Sequence, residues 1–86
     1  MADPVSKQVK KKIGENLKAL IEQKGENSLR KIDAKTRMEH SWLGKIFRGE
    51  QNITIDSLCN LLEEYKIQPK EVFNFTVKFP KENDSQ

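Results

Sequence analysis

Apolar residues fall three and four apart through most of the chain, and the breaks between those runs divide it into five segments. Val9, Ile13, Leu17, Leu20 and Ile21 form one stripe of an amphipathic helix. Asp3 and Pro4 suit its start, because Asp accepts free amide protons and Pro already holds a helical φ. Lys24 and Gly25 suit its end. Ser28 is the next N-cap, and Leu29, Ile32 and Thr36 form the inward face of a second helix about two turns long. The pattern breaks near Arg37, with Met38 a lone apolar residue in the break. It resumes at Trp42, Leu43, Ile46 and Phe47 until Arg48 and Gly49 stop a third helix, placed at residues 40–48. Two short helices thus flank a very tight turn. Thr54 caps a fourth helix whose core positions are Leu58, Leu61, Leu62 and Tyr65. Gln68, Pro69 and Glu71 open a fifth with Pro at the first helical position and a capping-box Glu, and Val72 and Phe73 close it.

Beyond helix five the period changes to two. Phe73, Phe75, Val77 and Phe79 alternate with Asn74, Thr76 and Lys78, which suits an extended strand. A lone strand in a helical chain either packs over the helices or pairs with its twin in a second subunit. An irregular tail packing its aromatics on helix five is the competing reading. Residues 81–86 read as a frayed polar end.

Length and composition narrow the class. Eighty-six residues make one small domain, and 35% hydrophobic against 34% charged residues allows only a compact core. Sixteen basic and thirteen acidic residues leave a net charge of only +3. Its distribution is more informative: residues 1–48 hold twelve basic and six acidic residues, net +6, whereas residues 49–86 hold four and seven, net −3. That split fits a basic face for a polyanion joined to a half with another task; solvated helix faces would produce it too. Cys59 is the only cysteine, so neither an internal disulfide nor a cysteine-rich zinc site can form. No apolar run approaches the ~20 residues of a membrane span, and the N-terminal stretch lacks a signal-peptide pattern, so a cytoplasmic location with no membrane partner is expected. With one His, one Cys and no paired acid-base spacing, no catalytic constellation stands out. Enzymatic activity, a cofactor, a bound metal and a small-molecule ligand are not expected.

A short helix, a turn and a second short helix is the physical form of the DNA-binding helix-turn-helix, whose second helix lies in the major groove. From about Leu17 to Phe73 the chain resembles the Cro and phage-repressor (Xre) family. The likeness rests on Leu17, Leu20, Lys24 and Gly25, on Ser28 as cap, and on Met38 in the turn. It continues through Leu43, Gly44, Lys45 and Ile46, then Arg48 and Gly49, then Asn52, Ile53, Thr54 and Leu58, and ends at Ile67, Pro69, Val72 and Phe73. The resemblance implies an all-α, five-helix, lambda-repressor-like domain over residues 17–73, with the helix-turn-helix at helices two and three. Residues 1–16 are then the basic N-terminal part of helix one, and residues 74–86 an extended tail. It also implies a sequence-specific regulator of transcription that binds double-stranded DNA as a homodimer on a two-fold-related operator.

Leu43 and Ile46 must face inward, which turns His40, Ser41, Gly44 and Lys45 outward, at the positions that touch base edges in the family. Lys45 can donate to guanine, Ser41 can pair with several bases, and Gly44 would allow close approach. His40 could donate to an acceptor or a phosphate. Alternatively His40 and Ser41 only start the helix and Lys45 is a solvated charge. Ser28, Arg30, Lys31, Arg48 and Asn52 are the expected phosphate contacts. Trp42 either packs on a sugar and donates its indole N–H to a phosphate or belongs to the core between helices two and three. Lys7, Lys10, Lys11 and Lys12 add long-range attraction. Val72, Phe73, Phe75, Val77 and Phe79 are the candidate dimer interface.

Three positions and one loop depart from the family pattern. Leu29 replaces a Gln after the cap of helix two, and Asp33 replaces a small Ala, which requires a donor for Asp33. Arg37 occupies a turn position usually held by Gly, so either it takes a positive φ at about 1 kcal/mol or the turn differs. The loop from Gly25 to Ser28 is one residue longer. A fifth difference supports the alignment: the family's Arg and Glu near the ends of helices one and three are here Ile21 and Phe47, both apolar, so the two should meet. An adaptor or antitoxin-like module reusing the fold is the alternative function, and a phage-type repressor, a restriction-modification controller and an antitoxin autoregulator would share this pattern.

Overall fold

The computed structural model describes residues 3–80 and is all-helical, with five helices in chain order: α1 (Val5–Gln23), α2 (Leu29–Thr36), α3 (His40–Phe47), α4 (Ile55–Tyr65) and α5 (Pro69–Val72). None of these helices is long and apolar enough to cross a membrane. The final residues, 81–86, lie outside the described part.

The caps follow the local sequence closely. Lys24 closes α1, Gly25 adopts φ 91°, and the amides of Gly25 and Glu26 return to the carbonyls of Glu22 and Ile21. This double bond pattern satisfies carbonyls that the helix end would otherwise leave free. Ser28 caps α2, Thr54 caps α4, and Gln68 with Glu71 forms the capping box of α5. At the start of α1, Pro4 is itself the cap and Asp3 makes no capping bond, although its carboxylate stands 3.9 Å from Lys7 Nζ.

All five helices supply the core. Leu17, Leu43, Leu61 and Val72 have no exposed surface, and each buried side chain of this kind contributes about 1.5–3 kcal/mol relative to exposure. Ile13, Leu17 and Ile21 are the buried stripe of α1, while Val9 and Leu20 pack at its margins. Helix α1 contacts both α3 and α5, and α2 contacts α3 and α4. Ile21 and Phe47 are both buried in this core and line one groove between α1 and α3.

Gly14 determines how close α1 and α3 come. A β-carbon there would fall on the Ile46 carbonyl oxygen and within 2.8 Å of that of Phe47. At Gly49, with φ 77°, a β-carbon would come within 2.7 Å of the Lys11 backbone. The C-terminal end of α3 is therefore seated on α1 backbone against backbone.

The tail does not form the expected strand, and among the described residues there is none. Phe75 N–H donates to the Phe73 carbonyl at 2.9 Å, a three-residue turn that bends the chain at Asn74. The tail then returns along α1, where the Gln8 side chain takes both backbone groups of Lys78, donating to its carbonyl at 2.5 Å and accepting from its N–H at 2.8 Å. Asn16 donates to the Val72 carbonyl at 2.7 Å. These bonds occupy main-chain groups that a pairing strand would need.

Replacing Gly14 with Ala tests the α1–α3 approach. Ala favours a helix interior by up to ~1 kcal/mol, but the clash is with backbone and overpacking costs typically 1–3 kcal/mol. Gly14→Ala should lower the thermal midpoint by roughly 5–15 °C in a circular-dichroism melt; an unchanged or higher midpoint contradicts the packing described.

Candidate nucleic-acid interface

The amides of the α2–α3 connection are almost fully accounted for. Arg37 occupies the left-handed region at φ 63°, as its position requires, and its N–H donates to the Asp33 carbonyl at 2.6 Å. Thr36 Oγ1 donates to the Ile32 carbonyl and accepts from Met38 N–H. Asn60 of α4 donates to the Thr36 carbonyl at 2.9 Å, so the C-terminal end of α2 is tied to a third helix. Met38 is buried beneath this turn.

Two carboxylates complete it. Glu39 caps α3 with both oxygens: Oε2 accepts from the Ser41 amide at 3.1 Å and its hydroxyl at 3.0 Å, and Oε1 from the Trp42 amide at 3.1 Å. The Ser41 amide, then those of Trp42 and the Ser41 hydroxyl, hold the Glu39 carboxyl below its ordinary range. Asp33 of α2 finds its donor across the turn, accepting from His40 N–H at 3.1 Å. His40 Nδ1 lies 3.3 Å from the same oxygen and 3.6 Å from Glu39 Oε2.

The outward face of α3 carries Ser41, Lys45 and Arg48, all exposed and opposite buried Leu43, Ile46 and Phe47. Lys45 makes no hydrogen bond or ion pair among the described residues, so its ammonium is available. The Arg48 guanidinium is held by Glu50, through Nε at 2.9 Å and Nη2 at 3.2 Å. Trp42 is half-buried and packs against the core. Arg30, Lys31 and Asn52 are exposed, while Ser28 is partly buried and its Oγ accepts from Lys31 N–H at 3.4 Å.

Two sequence expectations are corrected here. Gly44 is buried rather than open: it sits beneath Leu29 of α2 and Arg48, whose atoms would be 3.4 and 3.3 Å from a β-carbon there, so it offers little surface for a close approach. Leu29 thus serves to cover Gly44. Val72 cannot belong to a dimer interface, because it is wholly buried beneath α1 within one protomer. Phe75 and Val77 are partly buried, and only Phe73 and Phe79 stand out, at 44% and 73% exposure.

One cluster beside the site gave no sequence signal. Glu26, in the loop between α1 and α2, turns inward and is 6% exposed. Its Oε1 lies 2.6 Å from Lys35 Nζ and accepts from the Tyr65 hydroxyl at 3.4 Å. The Lys35 contact holds the Glu26 carboxyl low, and burial followed by the Glu26 charge pushes the Tyr65 hydroxyl up to about 12. The cluster ties the loop before α2 to α2 and to α4. A buried tyrosine needs a partner for its hydroxyl, but nothing local names Glu26 as that partner.

Glu39 and Glu26 have carboxyls that titrate lower in the folded chain than their reference value of 4.5. Their contribution to stability is therefore complete above about pH 4.5 and is lost as the pH falls through the folded-state values. Glu39→Gln should melt below the parent at pH 7, and the two melting curves should converge toward pH 3. A gap that persists at pH 3 would show that the carboxylate charge is not what caps α3. Comparison with known proteins finds no matching family model, no matching curated protein and no matching solved structure for this chain.

Proposed function

We propose that the chain is a sequence-specific, double-stranded-DNA-binding regulator of transcription that acts as a homodimer with α3 laid in the major groove. The observation that carries this reading is the α2–α3 unit itself. Two eight-residue helices meet across a three-residue turn in which the Arg37 and Met38 amides are bonded, and the second presents Ser41, Lys45 and Arg48 away from the core. A major groove accepts an α-helix, and Lys donating to guanine O6 and N7 is among its commonest specific contacts. The resemblance to the Cro and phage-repressor family, and the +6 charge of residues 1–48, support the same assignment.

Roles follow from position. Lys45 reads a base edge directly, and Ser41, whose hydroxyl donates to Glu39, offers its lone pairs as acceptors. Ser28, Arg30 and Lys31 lie at the N-terminal end of α2, where free amides and the helix dipole favour a phosphate. Arg48 reaches phosphate by exchanging its Glu50 partner, and Asn52 flanks it from the following loop. Trp42 and Gly44 serve packing. Of the tail's apolar residues, Phe73 and Phe79 are the exposed ones and face a second copy.

Selection from a random duplex pool at two salt concentrations tests the reading. A two-fold-symmetric enriched site is expected, and each phosphate neutralised steepens the salt dependence by about 0.9. No enrichment at either salt concentration would remove DNA binding and leave the adaptor alternative. On the selected site, Lys45→Ala should weaken binding about tenfold or more with an unchanged circular-dichroism spectrum, since a good base contact discriminates by ~1–3 kcal/mol. Replacing Phe73 and Phe79 together with Ser should give a monomer by light scattering; an unchanged dimer mass would place the interface elsewhere.

A further inference from the structure

His40 is the only histidine in the chain, and its ring stands in an asymmetric setting. Two carboxylates face the same ring nitrogen: Asp33 from α2, 3.3 Å from Nδ1, and Glu39 from the turn, 3.6 Å from it. Among the described residues nothing bonds Nε2, and 38% of the side chain's surface is exposed. Apart from His40, no cation among the described residues pairs with either carboxylate.

A neutral imidazole carries one N–H and one lone pair, and its neighbours decide which nitrogen has which. A lone pair on Nδ1 would point at two anionic oxygens. A proton there donates to Asp33 and is attracted by both. Asp33 cannot turn away cheaply, because the same oxygen accepts the His40 amide at the start of α3. Backbone and ring of one residue are thus clamped by one carboxylate.

We propose that Asp33 fixes His40 as the Nδ1–H tautomer, so that Nε2 faces the groove as an acceptor while the ring is neutral and as a donor once it is charged. This rests on the DNA-binding reading and specifies what the first turn of α3 recognises. An acceptor at Nε2 takes the amino group of adenine or cytosine, and a donor takes O6 or N7 of guanine. His40 becomes a pH-dependent selector at one base position, with Asp33 its positioning residue.

Nitrogen-15 NMR of the full chain decides the tautomer, and a single histidine makes the signals unambiguous. Above the observed ring titration Nδ1 should carry the proton. Finding the proton on Nε2, the form that free histidine side chains favour, overturns the proposal. Asp33→Asn keeps the shape and removes the charge, and its amide can donate or accept, so the second tautomer should appear.

Selection from a random duplex pool above and below that titration tests the readout. Adenine or cytosine should exceed guanine by about threefold to tenfold at one position above it, as for a single hydrogen bond, and guanine should gain below it. Asp33→Asn should flatten the preference at that position. A preference that ignores pH in a chain with the Nδ1–H tautomer overturns the base-reading role. A chain that enriches no duplex at any pH removes that role together with DNA binding, while the tautomer stands or falls by NMR alone.

Discussion

The arrangement depends on the contact between α1 and α3 at Gly14. Two helices normally meet through interdigitating side chains with their axes 8–10 Å apart. Here no side chain intervenes on the α1 side, and the backbone carbonyls of Ile46 and Phe47 rest where a β-carbon would be. Gly49 makes a second backbone approach to Lys11 just beyond α3. With its inner face held this closely, α3 has little rotational freedom, and Ser41, Lys45 and Arg48 are forced outward. The orientation of the proposed reading face is thus set from behind, by a residue with no side chain.

The front of α3 is set by charge. Arg37 carries the strain of a left-handed conformation, about 1 kcal/mol for a residue with a β-carbon. That strain is spread over a turn in which Asp33, Thr36, Glu39 and Asn60 supply partners for backbone groups. A Gly in the turn and an Ala on α2 would give the same path with less strain and fewer bonds. This chain instead places two carboxylates at the tip of its third helix. Their negative charge favours hydrogen-bond donors over anions at that end, while the cations lie farther along α3 and on α1 and α2.

The tail illustrates a limit of periodicity. Alternation from Phe73 to Phe79 is genuine in the sequence, but a strand needs a neighbour with free main-chain groups, and the nearest element is a helix whose own are already paired. Side-chain amides on α1 serve instead: Gln8 binds both groups of Lys78, and Asn16 binds the Val72 carbonyl. Val72 and Gly44 show the same limit at single positions. Both lie on elements that the pattern placed well, and both were assigned to surfaces that neighbouring chain covers.

Helix number, order and ends were legible because they are decided within four or five residues, by apolar spacing and by caps such as Ser28, Thr54, Gln68 and Gly25. Most of the helical core followed from the same spacing, although Leu29, expected to face inward, is exposed, and the core residues Met38 and Ile67 lie outside the helices; the outward placement of Ser41 and Lys45 followed from α3 alone. The backbone approach at Gly14, the cover over Gly44 and the Glu26, Lys35 and Tyr65 cluster were decided only by the fold, as was the pairing of Asp33 with His40. Each joins residues whose meeting depends on how helices cross or turn, up to 39 positions apart for Glu26 and Tyr65. Local spacing determines which face of a helix is apolar; only packed backbones determine what stands against the polar face.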